Sequence, residues 1–82
     1  MIITVGQVWE VLGSYPDGRQ IKAVDVFNER RLIGRLVDLG NGAFRADYVN
    51  IEGELHEDVL PGYYEALTRV AEEAQLRHGT LH

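Results

Sequence analysis

Apolar and polar residues alternate with a period of two over much of the chain, then give way to a three-and-four spacing from about residue 61 onward. The clearest alternation lies in residues 31 to 50. Ile33, Val37 and Leu39 share one strand face with Arg35, while Leu32 and Leu36 share the other with Gly34 and Asp38. After Asn41-Gly42, Phe44, Ala46 and Tyr48 alternate with Arg45, Asp47 and Val49. Period two sends successive side chains to opposite faces of a sheet. Asn-Gly between apolar runs suits the positive φ angles of a two-residue hairpin. Two antiparallel strands joined at Asn41-Gly42 are the expectation.

Upstream, Ile21 to Phe27 alternates less cleanly, with Val24 and Val26 on one face and Ile21, Ala23 and Phe27 on the other. Both faces of that strand are partly covered on this reading, and Asn28-Glu29-Arg30 returns the chain into Arg31. Tyr15-Pro16-Asp17-Gly18 is a turn, since proline presets φ and glycine accepts a positive φ. Residues 2 to 12 fit two templates. Val5, Val8, Trp9 and Leu12 have helical spacing behind a Thr4/Gln7 capping pair. Ile3, Val5, Trp9 and Val11 alternate as a strand, and the β-branched content together with Gly6 favours the strand. Trp9 faces inward either way.

Ile51 to His56 is short. Either Ile51 and Leu55 point in with Glu52, Glu54 and His56 out, or Glu52-Gly53 turns into a stub of fourth strand. Leu60-Pro61 marks a boundary, because a residue before proline is pushed from helical angles and proline suits a first helical position. A helix is expected from about Pro61 to His78. Leu67, Val70, Ala71 and Ala74, with Tyr63 or Tyr64, line its apolar stripe, and Glu65/Arg69 and Glu73/Arg77 are i,i+4 pairs. Gly79 ends it, with a fraying tail beyond.

These elements make a single α+β domain: an antiparallel β-meander of three to five strands with one C-terminal α-helix packed on one face. Trp9, Val24, Val26, Leu36 and Phe44 are the expected core beneath the helix. At 82 residues the chain buries roughly two thirds of its unfolded surface, so the core is thin. No apolar run approaches the ~20 residues of a membrane span. The first residues show neither the basic flank nor the apolar run of a secretory signal. The absence of cysteine removes disulfides and thiol nucleophiles and fits a reducing compartment. A cytoplasmic location is the expectation.

Charge is unevenly placed. Residues 1 to 50 carry six acids and six bases, whereas residues 51 to 82 carry seven acids against Arg69 and Arg77, which accounts for the net charge of −5. Ser14, the only serine, lies beside a turn and belongs to no nucleophile signature, and Gly40-Asn41-Gly42 lacks the continuation of a phosphate loop. No cofactor motif is present. Glu52, Glu54, His56 and Asp58 offer metal-ligand types, but alternate strand residues lie about 6 to 7 Å apart, too far to enclose one ion unaided. His78 and His82 read as tail.

The acidic third therefore points to a non-enzymatic protein-binding module. Glu52, Glu54, Glu57, Asp58 and Tyr64 form its candidate contact set, and its expected partner is a protein with a basic surface, nucleic-acid-handling proteins included. An inhibitor or regulator that presents carboxylates where such a partner expects phosphates, a nucleic-acid mimic, is the concrete form of this reading. The alternative is a nucleic-acid-binding sheet using Arg31, Arg35, Arg45 and Tyr48 to hold phosphates and stack bases. With a helix over residues 2 to 12, the order helix, three strands, helix resembles the double-stranded-RNA-binding domain in topology. Pro61 to Thr68 departs from that family's basic helix start, holding Glu65 and no lysine. Homodimerisation through an open sheet edge or helix face is also compatible with the pattern.

Overall fold

A computed structural model describes residues 2–79, the side chain of His78 excepted. Among the described residues six strands, β1 (Ile3–Val5), β2 (Glu10–Ser14), β3 (Gln20–Asn28), β4 (Arg31–Asp38), β5 (Phe44–Val49) and β6 (Leu55–Leu60), form one antiparallel sheet, and a single helix, α1 (Tyr63–Gly79), packs on one face. The strands run β1-β3-β4-β5-β6 across the sheet, with β2 also paired to β3.

Residues 2 to 12 are extended, not helical, and the topological resemblance to the double-stranded-RNA-binding domain falls away with the helix. β1 and β2 lie end to end along the same edge of β3. Val5 stands opposite Val26, the Gly6 N–H donates to the Asp25 carbonyl at 2.9 Å, and pairing resumes with Glu10 opposite Ala23. The outer strand thus takes five steps where β3 takes three, and Gln7 to Trp9 bulge outward. Six strands consequently occupy five positions. The bulge exposes Val8 and carries Trp9 back onto the core margin.

Tyr15 to Gly18 forms the expected turn, closed by Gly18 N–H to Tyr15 O at 3.0 Å. The β4–β5 hairpin is present, but its turn differs. Leu39 N–H bonds to Ala43 O at 3.2 Å, Gly40 and Gly42 take the positive φ angles (79° and 92°), and Asn41 instead accepts the Ala43 N–H on its side chain at 3.0 Å. A five-residue loop with two glycines does the work assigned to Asn41-Gly42. β6 is a full strand, paired over all six residues with β5 after a tight turn in which Gly53 (φ 84°) N–H bonds to Asn50 O at 3.0 Å. Ile51 and Leu55 both point out.

One sheet face carries Val24, Val26, Leu36, Ala46 and Tyr48, and Ala66, Val70 and Ala74 of α1 close over it. The expected sheet face is the one covered. Trp9 and Phe44 are partly buried at its margin, where Phe44 meets Trp9 and Tyr63 edge-on in an aromatic cluster with centroids 5.7 to 6.5 Å apart. Leu36, rather than Trp9, is the largest fully buried side chain. Gly34 lets the helix approach: a Cβ there would stand 2.6 Å from both Asp47 O and Val70 Cγ1. The helix starts two residues later than expected, with Gly62 O accepting the Ala66 N–H at 3.1 Å and Glu65 folding back onto Gly62. Among the described residues no helix is long and apolar enough to cross a membrane.

Candidate functional site: the β6 edge and its carboxylates

β6 is the last strand of the sheet, and its backbone bonds can be assigned from those of its neighbours. Leu39 N–H bonds to Ala43 O, so residues 45 and 47 of β5 turn their backbone groups to β4, whereas 44, 46 and 48 turn theirs to β6. Their partners are Leu60, Asp58 and His56. The Asn50 N–H to Glu54 O bond at 2.9 Å agrees with this phase. Leu55, Glu57 and Val59 are therefore left with N–H and C=O groups directed away from the sheet.

The same alternation divides the side chains. Leu55, Glu57 and Val59 lie on the face without the helix, and Leu55 and Val59 are 71% and 62% exposed. His56, Asp58 and Leu60 lie on the helix face. Asp58 accepts the Tyr48 hydroxyl and, at 2.7 Å, an Arg69 Nη1–H from α1. The Tyr48 hydrogen bond, with Arg69 beside it, holds the Asp58 carboxyl below its ordinary range against the opposing effect of burial. Burial, then the hydrogen bond to Asp58, pushes the Tyr48 phenol up. The Arg69 guanidinium is raised by the same two partners, Tyr48 and Asp58. His56 stacks on Tyr48 at 5.8 Å between centroids and shares a hydrogen bond with the Asn50 side chain at 2.8 Å. Arg69 thus bonds to Asp58 and not to its i−4 neighbour Glu65.

The five residues of the acidic contact set do not form one patch. Glu57 is paired with Arg45 at 3.1 Å on the open face, Asp58 is occupied beneath the helix, and Tyr64, 74% exposed, stands at the helix start beyond the far end of β6. Glu52 and Glu54, in the β5–β6 turn, are exposed and carry no ion pair among the described residues. Their backbone N–H groups both donate to Asn50 Oδ1, at 3.0 and 2.9 Å, which fixes the turn that displays them.

The arginine set of the nucleic-acid reading is likewise divided. Arg35 binds Glu10 at 2.8 Å and lies 3.6 Å from Asp25, while Arg45 binds Asp47 at 2.8 Å as well as Glu57. Two guanidiniums thus face four carboxylates, and the charge around them on the open face is net negative. The hydrogen bond from Arg45 to Asp47 raises the Arg45 guanidinium further. Tyr48 is 5% exposed on the opposite face, out of reach of a base, and Arg31 closes the β3–β4 hairpin opposite Asn28. Among the described residues no three His, Asp or Glu side chains gather as metal ligands. The His78 and His82 side chains lie outside the described residues.

A cleft of about 460 Å³ opens at the end of the sheet between Leu32, Ile33, Val49, Leu55 and Ala74. Asp25, Asp47, Arg35 and Arg77 also line it, so its charges balance and its walls are mainly apolar. Residues that sequence reasoning passed over are Leu55 and Val59 as outward apolar groups and Arg69 and Arg45 as partners of Asp58 and Glu57. The Leu-His-Glu-Asp-Val-Leu run does hold apolar residues at 55 and 59 in period two, which is the signal that places both on one face. No protein-family model, no curated protein and no solved structure matches this chain.

Proposed function

We propose that this chain is a non-enzymatic protein-binding module, an inhibitor or regulator, that docks a basic partner protein along the β5–β6 side of its sheet. The observation that carries this reading is the company of Glu52 and Glu54, exposed and without ion pairs among the described residues, with the outward apolar side chains of Leu55 and Val59 on the adjoining edge strand. Apolar anchors supply contact area, and unspent carboxylates select a positive partner and speed its encounter. The net charge of −5 acts in the same direction over longer range.

The chemistry of the partly exposed Asp58 carboxylate also supports a binding role. Asp58 is stabilised in its charged form by Tyr48 and Arg69, whereas a general acid at neutral pH requires a carboxyl raised toward neutrality. Four carboxylates around Arg35 and Arg45 disfavour a polyanion on the open face, so the docking surface narrows to the turn and the edge.

The test is capture of partners from native lysate at low and at physiological salt, comparing the native chain with Glu52→Lys/Glu54→Lys. Capture that weakens with salt and falls several-fold on charge reversal is the expected result. Capture indifferent to both would remove the basis of the proposal.

A further inference from the structure

The two edges of the sheet are not equivalent. The β1/β2 edge is interrupted by the Gln7 to Trp9 bulge, a feature that blocks continuous pairing with another strand. β6 has no such interruption: all six residues keep register with β5. Its outward backbone groups belong to Leu55, Glu57 and Val59, the same residues whose side chains project on the open face. A strand added to this edge would meet three consecutive outward donor and acceptor sets, and beside them the side-chain sequence apolar, acidic, apolar.

We propose that β6 receives an extended segment of the partner protein as an added edge strand, with apolar residues opposite Leu55 and Val59 and a basic residue opposite Glu57. The proposal rests on the protein-binding reading above and specifies the form its partner takes. Backbone bonds of an added strand supply affinity without sequence preference, and alternate side chains supply the selection. Glu57 already shares Arg45 with Asp47, so three charges of net −1 await the incoming cation. The charge pattern argues against a second copy as occupant. Antiparallel pairing of β6 with itself at full overlap puts Leu55 opposite Val59, which is favourable, but sets Glu57 against Glu57 on the two-fold axis between two chains of −5 each.

The experiment titrates the ¹⁵N-labelled protein with the capped peptide Thr-Val-Thr-Lys-Thr-Val-Thr and with its counterpart carrying Glu in place of Lys. Amide hydrogen exchange is followed in the same samples. The Lys peptide is expected to shift resonances of residues 55 to 59 and to slow exchange at Leu55, Glu57 and Val59, leaving the already bonded amides of His56, Asp58 and Leu60 unchanged. Replacing an attractive by a like-charge cross-strand pair should weaken binding about tenfold for the Glu peptide. Glu57→Lys should invert that preference. Val59→Pro removes an N–H that the β5–β6 pairing does not use, so it should retain the native spectrum and lose the peptide.

Equal affinity for the two peptides, no binding of either, or full binding by folded Val59→Pro would overturn strand addition. A dimer in sedimentation that Val59→Pro abolishes would overturn the choice of occupant. The broader reading fails separately. If partner capture is lost in Glu52→Lys/Glu54→Lys but kept in Val59→Pro, the module stands and strand addition falls; if both variants capture as the native chain does, docking along the β5–β6 side itself falls.

Discussion

Arg69 on α1 reaches Asp58 on β6 and donates to its Oδ2 at 2.7 Å, on the oxygen that also accepts the Tyr48 hydroxyl. This contact fastens the helix to the edge strand, and it withdraws one carboxylate from the surface set that the acidic composition suggested. With Asp58 held there, period-two geometry sends Glu57 to the other face, where Arg45 meets it.

Removing the central acceptor should cost stability. Asp58→Ala leaves the Tyr48 hydroxyl and the Arg69 guanidinium without their shared partner, and about 1 to 2 kcal/mol is expected, the lower end reflecting the partial exposure of the pair. Tyr48→Phe, which leaves the Arg69–Asp58 contact intact, should cost about 1 kcal/mol. Urea unfolding of the three proteins measures both.

The same network sets a pH dependence at each end. Asp58 is depressed in the fold below its ordinary 3.8, so its contribution is complete above that unfolded value and is lost as pH falls through the lowered folded one. Asp58→Asn should therefore flatten the acid limb of stability against pH. Tyr48 is raised above its ordinary 10.0, so its contribution is complete below that value and is lost as pH rises through the raised one. Ultraviolet titration of the four tyrosines should show one ionising late, and Tyr48→Phe should remove that one.

Gly34 is the position where the helix has least room. A methyl group there meets the Asp47 carbonyl and Val70 Cγ1, each at 2.6 Å. Gly34→Ala should cost about 3 kcal/mol, at the upper end for an overpacked core. Adding Val70→Ala removes one of the two collisions and leaves the other, which is backbone. The double variant should accordingly lose less than the sum of the two single costs in thermal or urea unfolding.

The covered sheet face was legible because Val24, Val26, Leu36 and Phe44 stand in period two along neighbouring strands, and the helix because Val70 and Ala74 repeat at its spacing. The break in residues 3 to 14 was not. Trp9 faces inward under the helical and the strand reading alike, so the pattern does not record that five steps of one strand match three of the next. The hairpin at Asn41-Gly42 was found for an incomplete reason: the two positive φ angles fall on Gly40 and Gly42, and Asn41 acts through its side chain. Residues 57 to 60 escaped as a strand because the short segment was expected to end at His56, with Glu57 and Asp58 assigned together to the acidic contact set. Strand alternation alone separates them onto two faces, but their partners there, Arg45 in the neighbouring strand and Arg69 in the helix, lie twelve and eleven residues away, and no local pattern names them.

The most direct measurement is the hydrogen-exchange footprint of the complex formed with a captured partner. Protection gained on binding should fall on residues 52 to 59, strongest at Leu55, Glu57 and Val59, with the β1/β2 edge and the outer helix surface exchanging as in the free protein. A footprint on residues 3 to 14 or on the outward side of α1, with the 52 to 59 segment unchanged, would contradict docking along β6.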